Sequence, residues 1–265
     1  MKIFLITDIH YGEDTHYPTY KNGERAQNFG KSFLEYRPAL LKIAQECDLV
    51  VNLGDLMQQT KSFDEDKARY QEAVSALDFR VSVLHVVGNH DLVNLNRETV
   101  ADILKVPSVY YTKDISGYHC IVLDGNRDGK MRPEPFRFDQ EQIDWLESDL
   151  EKTTLPTLVF SHYPVAEYSL EENPIFNVLG PSMAFPLGSD RVKSLLEKSG
   201  KVLAVFSGHM HFNHEQTENE ILHFVAGSFT RNNDKDRPTT EYAVATIQNN
   251  SVVVKREQVA GINTF

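Results

Sequence analysis

Aspartate, asparagine and histidine recur along this 265-residue chain in five short blocks: Asp8-Ile9-His10, Gly54-Asp55, Gly88-Asn89-His90-Asp91, Ser161-His162-Tyr163-Pro164 and Gly208-His209-Met210-His211. Carboxylates, amides and imidazoles are the side chains that ligate metal ions and move protons near neutral pH. Taken singly, each block has an ordinary reading. Asp8 could form an Asx-turn, Asn89 and Asp91 could be solvated turn residues, and Gly54-Asp55 is a common strand ending. Alternate residues of an extended segment point to opposite faces, so His209 and His211 converge only if the backbone bends, as Gly208 permits. What sets the blocks apart is their position, because each follows an apolar run.

Those runs are KIFLIT (2–7), DLVVNL (48–53), VSVLHVV (81–87), PTLVFS (156–161) and KVLAVFS (201–207); a sixth, HCIVLD (119–124), has no such block after it. Short, β-branched and apolar at nearly every position, they predict strands buried on both faces. Ligands of open α/β sheets bind at the carboxyl ends of strands, where the five blocks would meet. Amphipathic stretches lie between the runs. Residues 139–151 predict a helix with Asp139 as N-cap and Gln142 closing a capping box, and 190–199 a helix stopped by Gly200. Residues 24–46 also predict helix, kinked or split at Pro38. After residue 220 the pattern is strand-like, with a hairpin signal at Gln248-Asn249-Asn250, so the fold class is α/β with a mainly antiparallel tail.

In order and residue type the five blocks resemble the calcineurin-like metallophosphoesterase superfamily over residues 8–211. Having His10 two residues after Asp8, the set is most similar to the bacterial class III cyclic-nucleotide phosphodiesterases. The resemblance implies a β-sandwich core of two mixed sheets flanked by helices. It also implies a dinuclear site in which Asp8, His10 and His211 hold one metal, Asn89, His162 and His209 the other, and Asp55 bridges them. His90 would stabilise or protonate the leaving oxygen, and Asn89 would also meet substrate. Asp91 could orient the His90 imidazole and raise its pKa. Mixed carboxylate, imidazole and amide donors suit Mn, Fe or Zn, as two divalent or mixed-valence ions, better than all-oxygen Ca²⁺ or Mg²⁺. A hydroxide shared by two such ions, about 3.5–4 Å apart, would be the nucleophile.

The activity implied is hydrolysis of a phosphoester, foremost a small phosphodiester such as a cyclic nucleotide. The alternatives are a phosphomonoesterase or a pyrophosphatase of nucleoside-diphosphate derivatives. A purple acid phosphatase is disfavoured because Gln58 stands where those enzymes carry a metal-bound tyrosine. A nuclease fits poorly with a formal net charge of −11 and no basic stretch. A noncatalytic scaffold fits poorly with a full ligand set.

Five histidines fall outside the blocks. His85, His119 and His223 lie within strand patterns and read as structural, whereas His16 and His214 lie in loops near the site and are candidate substrate contacts. Segments 11–36 and 163–189, long and aromatic, should shape the pocket. Their rings could stack a nucleobase, form a lid or make a homodimer contact. Cys47 and Cys120, without CxxC spacing, predict reduced thiols. With no linker, leader pattern or run of about 18 apolar residues, a single soluble cytoplasmic domain over 1–265 is expected, with no membrane or nucleic-acid partner.

Overall fold

Strands apolar at every position need a covering layer on each face. A computed structural model describes residues 1–16, 27–126, 135–232 and 237–259, and shows how those layers are supplied. Strand β1 (Lys2–Ile6) leads to a short ribbon, β2 (Thr15–His16) and β3 (Gln27–Asn28). Then come α1 (Phe33–Ala44), β4 (Leu49–Asn52), α2 (Phe63–Ala76), β5 (Val83–His85) and α3 (Arg97–Leu104). A second group runs β6 (Tyr111–Ile115), β7 (Tyr118–Leu123), α4 (Gln140–Lys152) and β8 (Thr157–Ser161). It continues with the one-turn helices α5 (Phe176–Leu179) and α6 (Pro181–Ala184), then α7 (Ser189–Ser199) and β9 (Val202–Ser207). Hairpins β10 (His214–Glu218) with β11 (Ile221–Val225) and β12 (Glu241–Gln248) with β13 (Ser251–Gln258) follow.

Among the described residues the main strands form two mixed sheets, in the orders β13-β12-β1-β4-β5 and β10-β11-β9-β8-β7-β6. In β1, Ile3 and Leu5 point into the core between the sheets, against Val122, Phe160 and Phe206, while Phe4 and Ile6 point outward onto Leu40, Tyr70 and Ala73 of α1 and α2. This is the period of two expected of a pleated strand buried on both sides. The outer face of the second sheet, with Val159 and Val205, is covered by Leu146 of α4 and by Val192 and Leu196 of α7. Helices therefore flank two face-to-face sheets, as the resemblance implies. Cys47 and Cys120 are buried and unbridged, and no helix among the described residues is long and apolar enough to cross a membrane.

Several local expectations change. Helix α1 starts only at Phe33, because Gln27–Asn28 pairs as a strand and Gly30 passes close to the His10 carbonyl, where a Cβ would stand 2.1 Å from the oxygen. Pro38 leaves α1 one continuous element: the carbonyl it fails to bond, that of Leu34, belongs to an exposed first-turn residue open to water. Asp139 caps α4 without a side-chain hydrogen bond, and Gln142 turns inward to exchange bonds with the Asp124 backbone. The tail is mainly antiparallel, as expected, with β11 joining β9 in parallel. The hairpin signal holds: Asn249 and Asn250 both have positive φ, the two-residue turn that matches strand twist.

Candidate metal centre

All five blocks lie just beyond strand ends, on one edge of the sandwich. Five of their residues, Asp8 (φ 51°), His10 (47°), Asp55 (47°), His209 (67°) and His211 (58°), occupy the left-handed region. That conformation costs a non-glycine residue about 1–3 kcal/mol and persists only where surrounding structure imposes it, commonly at functional sites. Its effect here is geometric. It lets His10 follow Asp8, and His211 follow His209, on one side of the chain while the intervening Ile9 and Met210 are buried in cores. The loops also touch. A Cβ on Gly54 would stand 2.5 Å from His162 Nδ1, and one on Gly88 2.2 Å from Asp55 Oδ1.

Among the described residues, ligating atoms gather in three overlapping groups, each within 4.8 Å: Asp8, His10 and His211; His10, Asp55 and His90; Asp55, His162 and His209. Asp8 Oδ1 lies 3.3 Å from His211 Nε2 and 3.9 Å from His10 Nε2. Asp55 Oδ2 lies 3.4 Å from His162 Nε2 and 3.9 Å from both His10 Nε2 and His90 Nε2. Donors bound to one ion at about 2.0–2.2 Å sit roughly 3–3.5 Å apart, so the 3.3 and 3.4 Å spacings fit metal ligation and the 3.9 Å spacings are slightly wider. Two orphaned atoms sharpen the fit, because Asp8 Oδ1 and His162 Nε2 are buried with no hydrogen-bond partner. So does the His10 Nε2 to His211 Nε2 approach of 3.3 Å, which needs a proton or a cation between two nitrogens.

The supporting bonds aim the rings. His162 donates from Nδ1 to the Leu53 carbonyl at 2.8 Å, leaving Nε2 for the cluster. His209 instead donates from Nε2 to the Met183 carbonyl at 2.8 Å, leaving Nδ1. His10 places Nδ1 3.0 Å from Gln58 Oε1. Asp8 Oδ2 accepts from the Thr7 hydroxyl and the His209 amide, which turns Oδ1 inward. A metal-binding histidine usually has its second nitrogen occupied in this way.

Burial alone would neutralise both carboxylates, yet the facing imidazoles prevail. Asp8 falls to about 2, chiefly through His211, and Asp55 is pulled well below the usual carboxylate range by His162 and His90. His162 is desolvated but faces Asp55, which pushes it up to about 9. His10 and His209, desolvated and beside other imidazoles, go down to about 3. Two buried anions among nitrogen lone pairs make a pocket that a divalent cation satisfies. His90 departs from the expected direction: burial lowers its pKa, with Asp55 acting against the shift.

The family model "Calcineurin-like phosphoesterase" matches residues 1–213. The chain belongs to that family. It is 28% identical over 185 residues to an Arcobacter nitrofigilis protein named "Probable glycerophosphodiester phosphodiesterase", covering 68% of this chain and 63% of that one. It is 30% identical over 115 residues to the Arabidopsis thaliana "Manganese-dependent ADP-ribose/CDP-alcohol diphosphatase", covering 36% and 37% respectively. The chain thus spans less than two thirds of either curated relative. A dimetal phosphatase from Danio rerio shares the fold at 16% identity, with a TM-score of 0.73 over 98% of this chain and 96% of that one.

In this calcineurin-like phosphoesterase the remaining candidate residues divide. His90 lies at the centre, its backbone amide bonding Asp55 Oδ1 at 2.8 Å. Its ring is held by Gln59, not by Asp91 as expected. Asp91 points the other way, accepting from the Gly88 and Met57 amides, and burial with Asp55 nearby pushes it up to about 8. It stitches two site loops together. Asn89 Oδ1 stands 3.5 Å from the Tyr163 hydroxyl, which donates more closely, at 2.9 Å, to Asn126.

His16 is exposed on the ribbon, outside the ligating groups, and His214 stacks on Tyr168 with centroids 3.7 Å apart. His119 bridges Asp114 and Asp149, while burial lowers the pKa of His85 and His223; none of the three joins a ligating group among the described residues. Residues 17–26 of the first pocket segment lie outside the described residues. The other, 163–189, carries α5 and α6 and supports a candidate ligand through Met183 and through Phe176, whose ring centroid is 4.8 Å from that of His209. Gln58 and Gln59 were missed as ring supports, since loop glutamines carry no signal until their neighbours are known.

Proposed function

We propose that this chain is a metal-dependent phosphohydrolase acting on small organic phosphodiesters. Asp8, His10 and His211 would hold one transition-metal ion, Asn89, His162 and His209 would hold a second, and Asp55 would serve both. The observation that carries this reading is Asp55, which joins both the group with His10 and His90 and the group with His162 and His209, its Oδ2 3.9 Å from His10 Nε2 and 3.4 Å from His162 Nε2. Manganese, iron or zinc suits these donors, as a divalent or mixed-valence pair. Bound there, such ions would supply Lewis acidity toward phosphate oxygens and toward a water nucleophile.

The chain's own groups do the rest. The Asp8 and Asp55 carboxylates keep the centre anionic until cations enter. His90, with Nε2 toward the cluster and Nδ1 on Gln59, would in its imidazolium form pass the Nε2 proton to the departing oxygen and be left as the Nδ1-H ring. Val178, Leu179 and Leu187, exposed on the segment that also supports His209, offer an apolar rim to the organic part of a substrate. The net charge of −11 favours a small ligand over a nucleic-acid polymer.

The two curated relatives are named for a glycerophosphodiester and for ADP-ribose or CDP-alcohols, which supports a diester or a substituted diphosphate as much as a cyclic nucleotide. A second reading, a pyrophosphatase of nucleoside-diphosphate derivatives, rests on the Arabidopsis match. Manganese-loaded protein tested on a glycerophosphodiester, ADP-ribose, a 3′,5′-cyclic nucleotide and a phosphomonoester decides among these. At least tenfold higher kcat/KM on a diester than on the monoester is expected. A monoester preference with full metal content contradicts the proposal.

A further inference from the structure

Two consecutive glutamines connect His10 to His90. His10 Nδ1 lies 3.0 Å from Gln58 Oε1, Gln58 Nε2 donates to Gln59 Oε1 at 2.8 Å, and the same Gln59 oxygen faces His90 Nδ1 at 2.5 Å. The start of this chain is fixed: Gln58 is buried, its amide bonds the Tyr11 carbonyl, and Arg69 of α2 donates to its carbonyl at 2.9 Å.

Donor and acceptor counting makes the chain directional. For the His10 Nε2 lone pair to face Asp8 and His211, its hydrogen must sit on Nδ1. Gln58 must then present its oxygen to His10, which leaves its NH₂ for Gln59. Gln59 must answer with its own oxygen, and that oxygen can face His90 Nδ1 only if Nδ1 carries a hydrogen. His90 Nε2, toward Asp55 Oδ2, is thereby the nitrogen that takes up a proton and passes it on, the ring returning each time to its Nδ1-H form. We propose that Gln58 and Gln59 are positioning residues through which ligation at His10 sets the tautomer and ring orientation of His90. This rests on the metal reading above and adds residues to it. It also gives Gln58 a role at the position whose side chain counted against a purple acid phosphatase.

The discriminating variant is Gln58→Glu. Its carboxylate still accepts from His10, so both metals should remain, but it cannot donate to Gln59. The Gln59 amide should rotate to present NH₂ on both sides, and His90 should shift to the tautomer protonated at Nε2. The readout is the two-bond ¹H–¹⁵N histidine spectrum of zinc-loaded protein, which separates Nδ1-H from Nε2-H rings without reference to activity. A ring whose Nδ1 faces an NH₂ cannot become imidazolium and so loses its acid form; on an alkyl phosphodiester kcat should therefore fall about tenfold or more, with KM and metal content nearly unchanged and a smaller loss on a p-nitrophenyl ester. Gln59→Met, at a half-exposed position, should also take His90 out of its wild-type tautomer and supplies the test where Gln58→Glu does not fold. A His90 spectrum unchanged in either folded variant overturns the relay while leaving the metal reading intact. Wild-type protein that takes up fewer than two metals overturns the metal reading, and the relay with it.

Discussion

His90 is where ligation and chemistry can be separated by one substitution. Its Nε2 lies close enough to His10 and Asp55 to complete a third group of ligating atoms, yet the proposed mechanism uses it as a proton donor. His90→Ala should retain both metals and lose about 10²–10⁴-fold in kcat on an ester with a poor alkoxide leaving group, with a smaller loss on a p-nitrophenyl ester. Metal analysis beside the two rate measurements checks this; a lost metal would make His90 a ligand. At this scale the sequence was informative where identity alone carried the chemistry. Asp8, Asp55, His162, His209 and His211 are rare side chains at strand ends, and they converge. It misled where adjacency stood in for contact: Asp91 follows His90, but the short 3-10 turn over His90–Leu92 sends its carboxylate to the Gly88 and Met57 amides.

At the scale of elements, strands were easier to read than helices. β1, β4 and β8 are buried along nearly their whole length, which leaves a continuous apolar signature. Helix α2 escaped notice because its buried face is made of Asp66, Tyr70, Ala73 and Ala76, a stripe too polar and too small to stand out. Asp66 is tolerated there because it accepts from Asn94 and the Thr60 amide. One tie between elements makes a pH prediction. His119 on β7 bonds Asp149 of α4 at 2.7 Å and Asp114 of β6 at 2.6 Å, and these bonds, Asp149 first, raise its pKa above the unfolded value despite partial burial. A raised folded-state pKa stabilises fully below the unfolded value, near about 6.5, and the contribution is lost as pH rises through the folded value. The Tm advantage of wild type over His119→Gln should therefore shrink between pH 6 and pH 9. An advantage that is constant or grows with pH would show that His119 acts by packing alone.

Across the whole molecule, two sheets that share one core bring five loops to one edge, each following a strand. This explains how candidate ligands 201 residues apart in sequence, such as Asp8 and His209, come to share a hydrogen bond. It also explains why the strained residues tolerate their conformations, since the sandwich imposes them from below. The central claim is a two-ion centre joined by Asp55, and metal stoichiometry tests it most directly. Protein loaded with Mn²⁺ or Zn²⁺ and freed of excess ion should carry about two metals per chain by elemental analysis. Asp55→Ala should weaken both sites together, whereas His10→Ala should weaken chiefly one. A folded wild type that never exceeds one metal, or an Asp55→Ala protein that still holds two, would contradict the account.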